Sequence, residues 1–294
     1  MGLLPMDIEI LPPYDDRVFK LILTAEEAKP ALLNLVSALI MRPVVDVSIR
    51  NNEIPPGDTD EKAERLDLNC VTDDGTQVDI EMQSSRIEEK PGGEHKNLKG
   101  KSIYYLCDLH SSQSSKGKPY DKLAQTYQVT FCGYTVFPNR ADFINPFSLR
   151  HNIDNELLSD AVNVVFVELS KLNEIVKKSV DDMSDLEKWS VFLRYAESPD
   201  YRDIVNRVIE SKEALNVASE LLMSISKDEK ERAHFRSRRM FQSDQESNMI
   251  TARREARAER DFEIAKNLLV MDMPIDKIIT ATGLTREEVE GLRN

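Results

Sequence analysis

Residues 65–84 read Arg65-Leu-Asp-Leu-Asn-Cys-Val-Thr-Asp-Asp-Gly-Thr-Gln-Val-Asp-Ile-Glu-Met-Gln-Ser84. Leu66, Leu68 and Cys70 alternate with Asp67, Asn69 and Val71, and Val78, Ile80 and Met82 alternate with Asp79, Glu81 and Gln83. A period of two is the mark of a half-buried strand. The stretch therefore predicts two short antiparallel strands, each with an apolar and a mostly polar face. If Asp73-Asp74-Gly75 is a three-residue hairpin loop with Gly75 left-handed, Thr72 faces Thr76, and counting back sets Asp67 opposite Glu81. Both carboxylates then share one face with Gln83 beside them; a slip of one residue would separate them. Paired carboxylates repel, and oxygen-ligated Mg²⁺ or Mn²⁺ is the simplest counterion for such a pair. The same spacing equally describes the solvated side of a plain hairpin.

Outward from the hairpin, residues 1–13 form a proline-containing irregular lead, and Asp16–Leu23 and Ala31–Met41 carry apolar residues at helical spacing. Val44–Ile49 predicts a first strand, and Asn51–Asp60, with Pro55-Pro56-Gly57, a loop. Asn97–Ser112 predicts a helix, Tyr120–Gln125 a shorter one, and Gln128–Phe137 a buried strand. Phe147–Ile153 and Val162–Leu169 add two strands, after which the pattern is helical. The fold class is thus α/β, a mixed sheet flanked by helices, with a helical C-terminal region; the boundary falls between residues 171 and 172.

Several blocks, in their order, resemble the bacterial PD-(D/E)xK nuclease-like transposase or recombination-promoting nuclease family. They are Asp16-Arg-Val-Phe19-Lys20, Arg65-Leu-Asp67 with Gly75 and Ile80-Glu81-Met82-Gln83, then Tyr104-Tyr105, Gln113, Gly117 and Tyr120, and last Val165 to Lys171 with Glu168. The resemblance implies a restriction-endonuclease-like core in residues 1–171 and a metal-dependent DNA endonuclease linked to recombination or transposition. It further implies Asp67 and Glu81 as Mg²⁺ or Mn²⁺ ligands with Asp16 as a secondary ligand, Gln83 as a catalytic amide, and Gln113, Tyr120 and Lys20 as substrate-binding residues. The superfamily's lysine two positions after the glutamate is here Gln83, and Lys101 is the basic residue nearest the place where the family often carries arginine. The alternative, from another class, is a catalytically silent nuclease-like fold kept for binding or scaffolding.

Composition narrows the partners. A net charge of -13 argues against a general duplex coat, yet Arg232–Arg239 and Arg253–Arg260 are net basic, and local fields meet a substrate. Cys70, Cys107 and Cys132 are odd in number and widely spaced, with no C-x-x-C pair and no secretion signal, which predicts a reducing, cytoplasmic setting. No apolar run nears the roughly 20 residues that span a bilayer, so no membrane partner is expected. The histidines show no zinc-ligand spacing. Residues 265–292 have helix-turn-helix spacing around Gly283 and Thr285, but Glu287, Glu288 and Glu290 favour a packing or homo-oligomerisation module over DNA recognition. Residues 227–260 read as a long solvated helix.

Overall fold

The computed structural model describes residues 2–51, 68–84, 96–114 and 119–293. After the lead come α1 (Asp16–Thr24), α2 (Lys29–Leu39), β1 (Val47–Asn51), β2 (Leu68–Thr72), β3 (Gln77–Gln83), α3 (Lys96–Ser111), β4 (Thr126–Cys132), β5 (Ile144–Arg150) and β6 (Leu157–Glu168). Then follow α4 (Asp185–Tyr195), α5 (Arg202–Glu210), α6 (Glu213–Lys227), α7 (Glu229–Val270), α8 (Ile275–Thr282) and α9 (Arg286–Gly291). The predicted α/β class holds: six strands form one mixed sheet in the order β1-β2-β3-β4-β6-β5. Strands β3, β4 and β6 are parallel at its centre, and antiparallel strands lie outside them. Parallel neighbours need a long crossover, and α3 supplies the one between β3 and β4.

The hairpin has the predicted register. Leu68 pairs with Ile80, Asn69 with Asp79, Cys70 with Val78 and Val71 with Gln77. One step further along this ladder, Asp67 would oppose Glu81, but Asp67 lies outside the described residues. Gly75 has φ +86°, as the loop requires, and its N–H donates to the Thr72 carbonyl at 2.9 Å. The Asp74 carboxylate accepts from the Thr72 hydroxyl at 2.5 Å and the Thr76 N–H at 3.1 Å, and Arg42 pairs with it at 2.7 Å.

One expectation needs correcting. The polar face of β3 is not solvated: Gln77, Asp79 and Glu81 are 3–4% exposed, as deeply buried as the apolar Met82 on the other face. The cause is position in the sheet, since a central strand beside a parallel neighbour is covered on both faces. The face with Val129 and Phe131 meets α1, where Phe19 packs on Phe131 at a 5.8 Å centroid distance. The other face meets α3 over a cluster of Leu98, Leu106, Cys132, Val136, Val164 and Phe166. Smaller differences occur at element ends: the predicted helix at Tyr120–Gln125 is a single 3-10 turn, Tyr120–Lys122, and β4 stops at Cys132. There Gly133 brings its N–H to the Gln83 carbonyl, and a Cβ would meet the Ser84 carbonyl at 2.7 Å.

The chain divides into two compact units, Met1–Arg232 and Ala233–Asn294, so residues 172–232 share a unit with the sheet. Their helices are tied to the N-terminal half by buried contacts. Trp189, wholly buried, donates its indole N–H to Asn34 at 2.8 Å. The irregular lead is stitched to α5 and α6, with Leu4 donating to Asn206 at 2.9 Å and Leu11 to Ser226 at 3.0 Å. In the second unit α8 ends on left-handed Gly283 (φ +73°) and α9 starts at Thr285, whose hydroxyl and the Glu288 carboxylate form a reciprocal capping box. Ala265, Ile278 and Val289 form its small core.

Two measurements test the turn. The nearest atom to a Cβ on Gly75 is 3.7 Å away, so a side chain there is opposed by φ and not by a clash. Gly75→Val should cost about 1–2 kcal/mol in denaturant unfolding, and Gly75→Asn distinctly less, because asparagine tolerates the left-handed region; equal losses would refute this. The Thr72 hydroxyl, then the Thr76 N–H and Arg42, hold the Asp74 carboxyl down at about 2, against an ordinary 3.8. A depressed carboxyl stabilises above its unfolded value and ceases to do so as pH falls through its folded value. The stability gap between the protein and Asp74→Asn should therefore be flat above about pH 5 and close toward pH 2.

Candidate functional site

The buried face of β3 groups its chemistry by strand register. Asp79 sits beside Asn69 of β2 and Gln128 of β4, Glu81 beside Thr130, and Gln83 beside Cys132. Further across, β6 contributes Val164, Phe166 and, beside Cys132, the buried Glu168, so the polar groups border an apolar cluster. Asp79 and Glu81 are each 4% exposed. Carboxylates so removed from water must be compensated by partners.

For Glu81 the compensation comes from α3 and from its own strand. The Lys101 ammonium is ion-paired with Glu81 Oε1, and Gln83 Nε2 donates to the same oxygen at 3.0 Å. Lys101 also lies over the Tyr105 ring, 5.3 Å from its centroid, the i, i+4 neighbour on the same helical face. One residue on, the Ser102 hydroxyl donates to the Leu98 carbonyl at 3.1 Å and meets the Thr130 hydroxyl at 3.3 Å. Position 83 thus lacks a lysine, but an ammonium reaches Glu81 from the helix opposite. Sequence reasoning noted Lys101 only as the nearest basic residue; its spacing of four from Tyr105 was the available signal.

Gln128 was also missed. It is fully buried beside Asp79, and neither of its amide atoms has a hydrogen-bond partner among the described residues. Lone buried amides are costly, so this one marks capacity for a further polar group next to the carboxylates. The adjoining thiol of Cys132 is pushed up by burial and by the charges of Glu168 and Glu81.

The remaining predicted residues lie in different places. Asp16 and Lys20 are on α1, whose Phe19 faces the opposite side of the sheet; Lys20 is 2% exposed rather than solvated. Gln113 brackets Ala124 with both ends of its amide, at 3.0 and 2.8 Å, and donates to the Thr126 hydroxyl at 2.9 Å. Thr126 precedes Thr130 by four residues, about 13 Å along the strand, so Gln113 is not grouped with Glu81. Tyr120 is 82% exposed on its 3-10 turn. Glu168 is a structural latch: wholly buried, it accepts from Val136 N at 2.5 Å, Phe137 N at 3.0 Å, Asn145 at 2.8 Å and Lys171 at 2.6 Å.

Among the described residues no three His, Cys, Asp or Glu side chains cluster as metal ligands. The donor set of β3 is all oxygen, which suits Mg²⁺ or Mn²⁺ better than zinc. No described helix is long and apolar enough to cross a membrane.

The family model described as PD-(D/E)XK nuclease family transposase matches residues 13–252 of the 294, and the chain belongs to that family. No curated protein and no solved structure matched the chain.

The ion pair is testable on its own. Lys101→Met leaves a buried carboxylate without its cation and should cost about 1–3 kcal/mol. In a Glu81→Gln background the same change should cost much less, since a neutral amide needs no counterion. A double-mutant cycle by urea unfolding reads the coupling; strict additivity would mean that Lys101 does not stabilise Glu81.

Proposed function

We propose that this member of the PD-(D/E)XK nuclease family transposases is a Mg²⁺- or Mn²⁺-dependent DNA endonuclease that hydrolyses phosphodiester bonds in recombination or transposition. The observation that carries the reading is Glu81: a buried carboxylate at the centre of the sheet, with an ammonium and a primary amide converging on one oxygen. Asp67, opposite Glu81 if the ladder continues, and Glu81 would hold the ion. When bound, the metal supplies positive charge at the scissile phosphate and makes a coordinated water more acidic.

The chain's own groups do the rest. The Gln83 amide, now donating to Glu81, can turn to a water or a phosphate oxygen, but it carries no charge. Lys101 supplies the charge that position 83 lacks, within reach of the same carboxylate, and so stabilises an anionic transition state. Tyr120, exposed, would hydrogen-bond the DNA backbone, whereas Lys20, 2% exposed, is closed off from it. Gln113 would act on substrate only indirectly, by fixing the turn before β4. The free thiols of Cys70, Cys107 and Cys132 support a reducing, cytoplasmic setting, and self-association through the helical C-terminal region is part of the proposal.

A second reading draws on the same ion pair. Lys101 already neutralises Glu81, and a carboxylate satisfied by an ammonium needs no metal, which fits a silent nuclease-like scaffold.

Titration with Mn²⁺ and plasmid cleavage separate the two. Asp67→Ala and Glu81→Ala should each lose Mn²⁺ affinity by calorimetry and reduce cleavage to background while the melting transition persists. Gln83→Lys should keep or raise cleavage. Equal Mn²⁺ binding by wild type and both alanine variants would make the scaffold the better account.

A further inference from the structure

Helix α7 carries eight arginines, of which seven lie in the second unit together with six acidic residues, Asp244, Glu246, Glu255, Glu259, Asp261 and Glu263. In the linear sequence the two signs look mixed. On the helix they separate. At ~100° per residue, Arg236, Arg239, Arg253, Arg254, Arg257 and Arg260 fall within about one third of the circumference, whereas Asp244, Glu255 and Glu259 fall on the far side. All six of these arginines are exposed. Two acidic positions share their arc: Glu246, midway along it, and Asp261, which pairs with Arg257 at 3.8 Å and Arg260 at 3.4 Å.

We infer that this arginine stripe is a docking surface for the phosphate backbone of double-stranded DNA, outside the sheet and its carboxylates; the choice of DNA rests on the nuclease reading above. Charge complementarity carries it, for a chain of net charge -13 keeps six exposed guanidinium groups on one face of one helix. Arginine is the side chain whose planar fork matches phosphate oxygens in pairs. From Arg236 to Arg260 the helix rises ~36 Å, about one turn of duplex. Two other occupants fit less well. The exposed Met240, Phe241, Met249 and Ile250 point to different sides of the helix, so they form neither a coiled-coil seam for a second copy nor an apolar face for a membrane.

The test is anisotropy of a labelled 30-bp duplex with the full chain in metal-free buffer between 50 and 200 mM KCl. Replacing Arg253, Arg254, Arg257 and Arg260 by glutamine, a comparable helix former, should weaken binding at least tenfold and flatten the slope of log K against log salt by about 3.6. The separate pair Arg236→Gln and Arg239→Gln should flatten it by about 2, so a folding defect in one set leaves the other decisive. The corresponding lysine variants should bind within about threefold of wild type, since Lys also carries the charge to a phosphate. Wild-type slope and affinity in both glutamine sets would overturn the proposal, as would binding to phosphatidylserine vesicles with none to duplex. Mn²⁺ binding at Glu81 is read separately, so either idea can fail alone.

Discussion

Everything near the centre of this sheet depends on how charge is tolerated on β3. The strand is third of six, hydrogen-bonded on both sides, with helices over both faces. An ionised carboxylate in such a place loses several kcal/mol of hydration, and only close, well-directed partners recover it. Lys101 and Gln83 do so for Glu81. That requirement fixes more than one side chain: the crossover from β3 must return as a helix over the acidic face, and its rotation must present Lys101 and Ser102 inward. The apolar residues of α3, Leu98 and Leu106, and the polar ones are therefore two parts of one docking interface.

The hairpin was legible in the sequence because its determinants are local. Alternation sets the faces, Gly75 sets the turn, and the two leave a single register. The same holds for the tail, where Gly283 and the Thr285–Glu288 box announce a stop and a start within a few residues. Long-range facts were not legible. Alternating residues look alike in a one-sided hairpin and in a doubly covered strand; the difference lies in β4, a neighbour distant in sequence. Lys101 reaches Glu81 from twenty positions away, and Leu4 and Leu11 find their partners more than two hundred away. No periodicity encodes those pairings, which is also why helices α4 to α6 read correctly as helices yet gave no sign of joining the sheet's own unit.

Charge patterning gave a similar lesson on α7. Counted along the chain, the segment is a mixture and predicts a solvated helix. Wound at 3.6 residues per turn, the arginines at 236, 239, 253, 254, 257 and 260 gather on one side. Screening over ~8 Å at physiological salt means that a ligand resting on such a face meets its local charge more than the chain's total of -13. An acidic protein and a basic docking face are thus compatible.

The same reasoning bears on the neutral amide at position 83. Were a lysine on β3 itself, its ammonium would be held by the strand, two residues from Glu81 on the same face. Here the cation arrives from α3, so its distance from Glu81 is set by how that helix sits on the sheet and by the Ser102–Thr130 and Leu98 contacts that hold it there. On the proposed reading, Lys101 both stabilises the resting fold and supplies the charge of the reaction, and the two roles compete: an ammonium fully committed to Glu81 is less available to a phosphate. Its side chain is 31% exposed against 6% for Glu81, which leaves the lysine the mobile member of the pair. A carboxylate anchored in the sheet with a cation that can swing from the helix is therefore the arrangement through which substrate charge would be felt, and the geometry of α3, rather than the identity of residue 83, is what governs it.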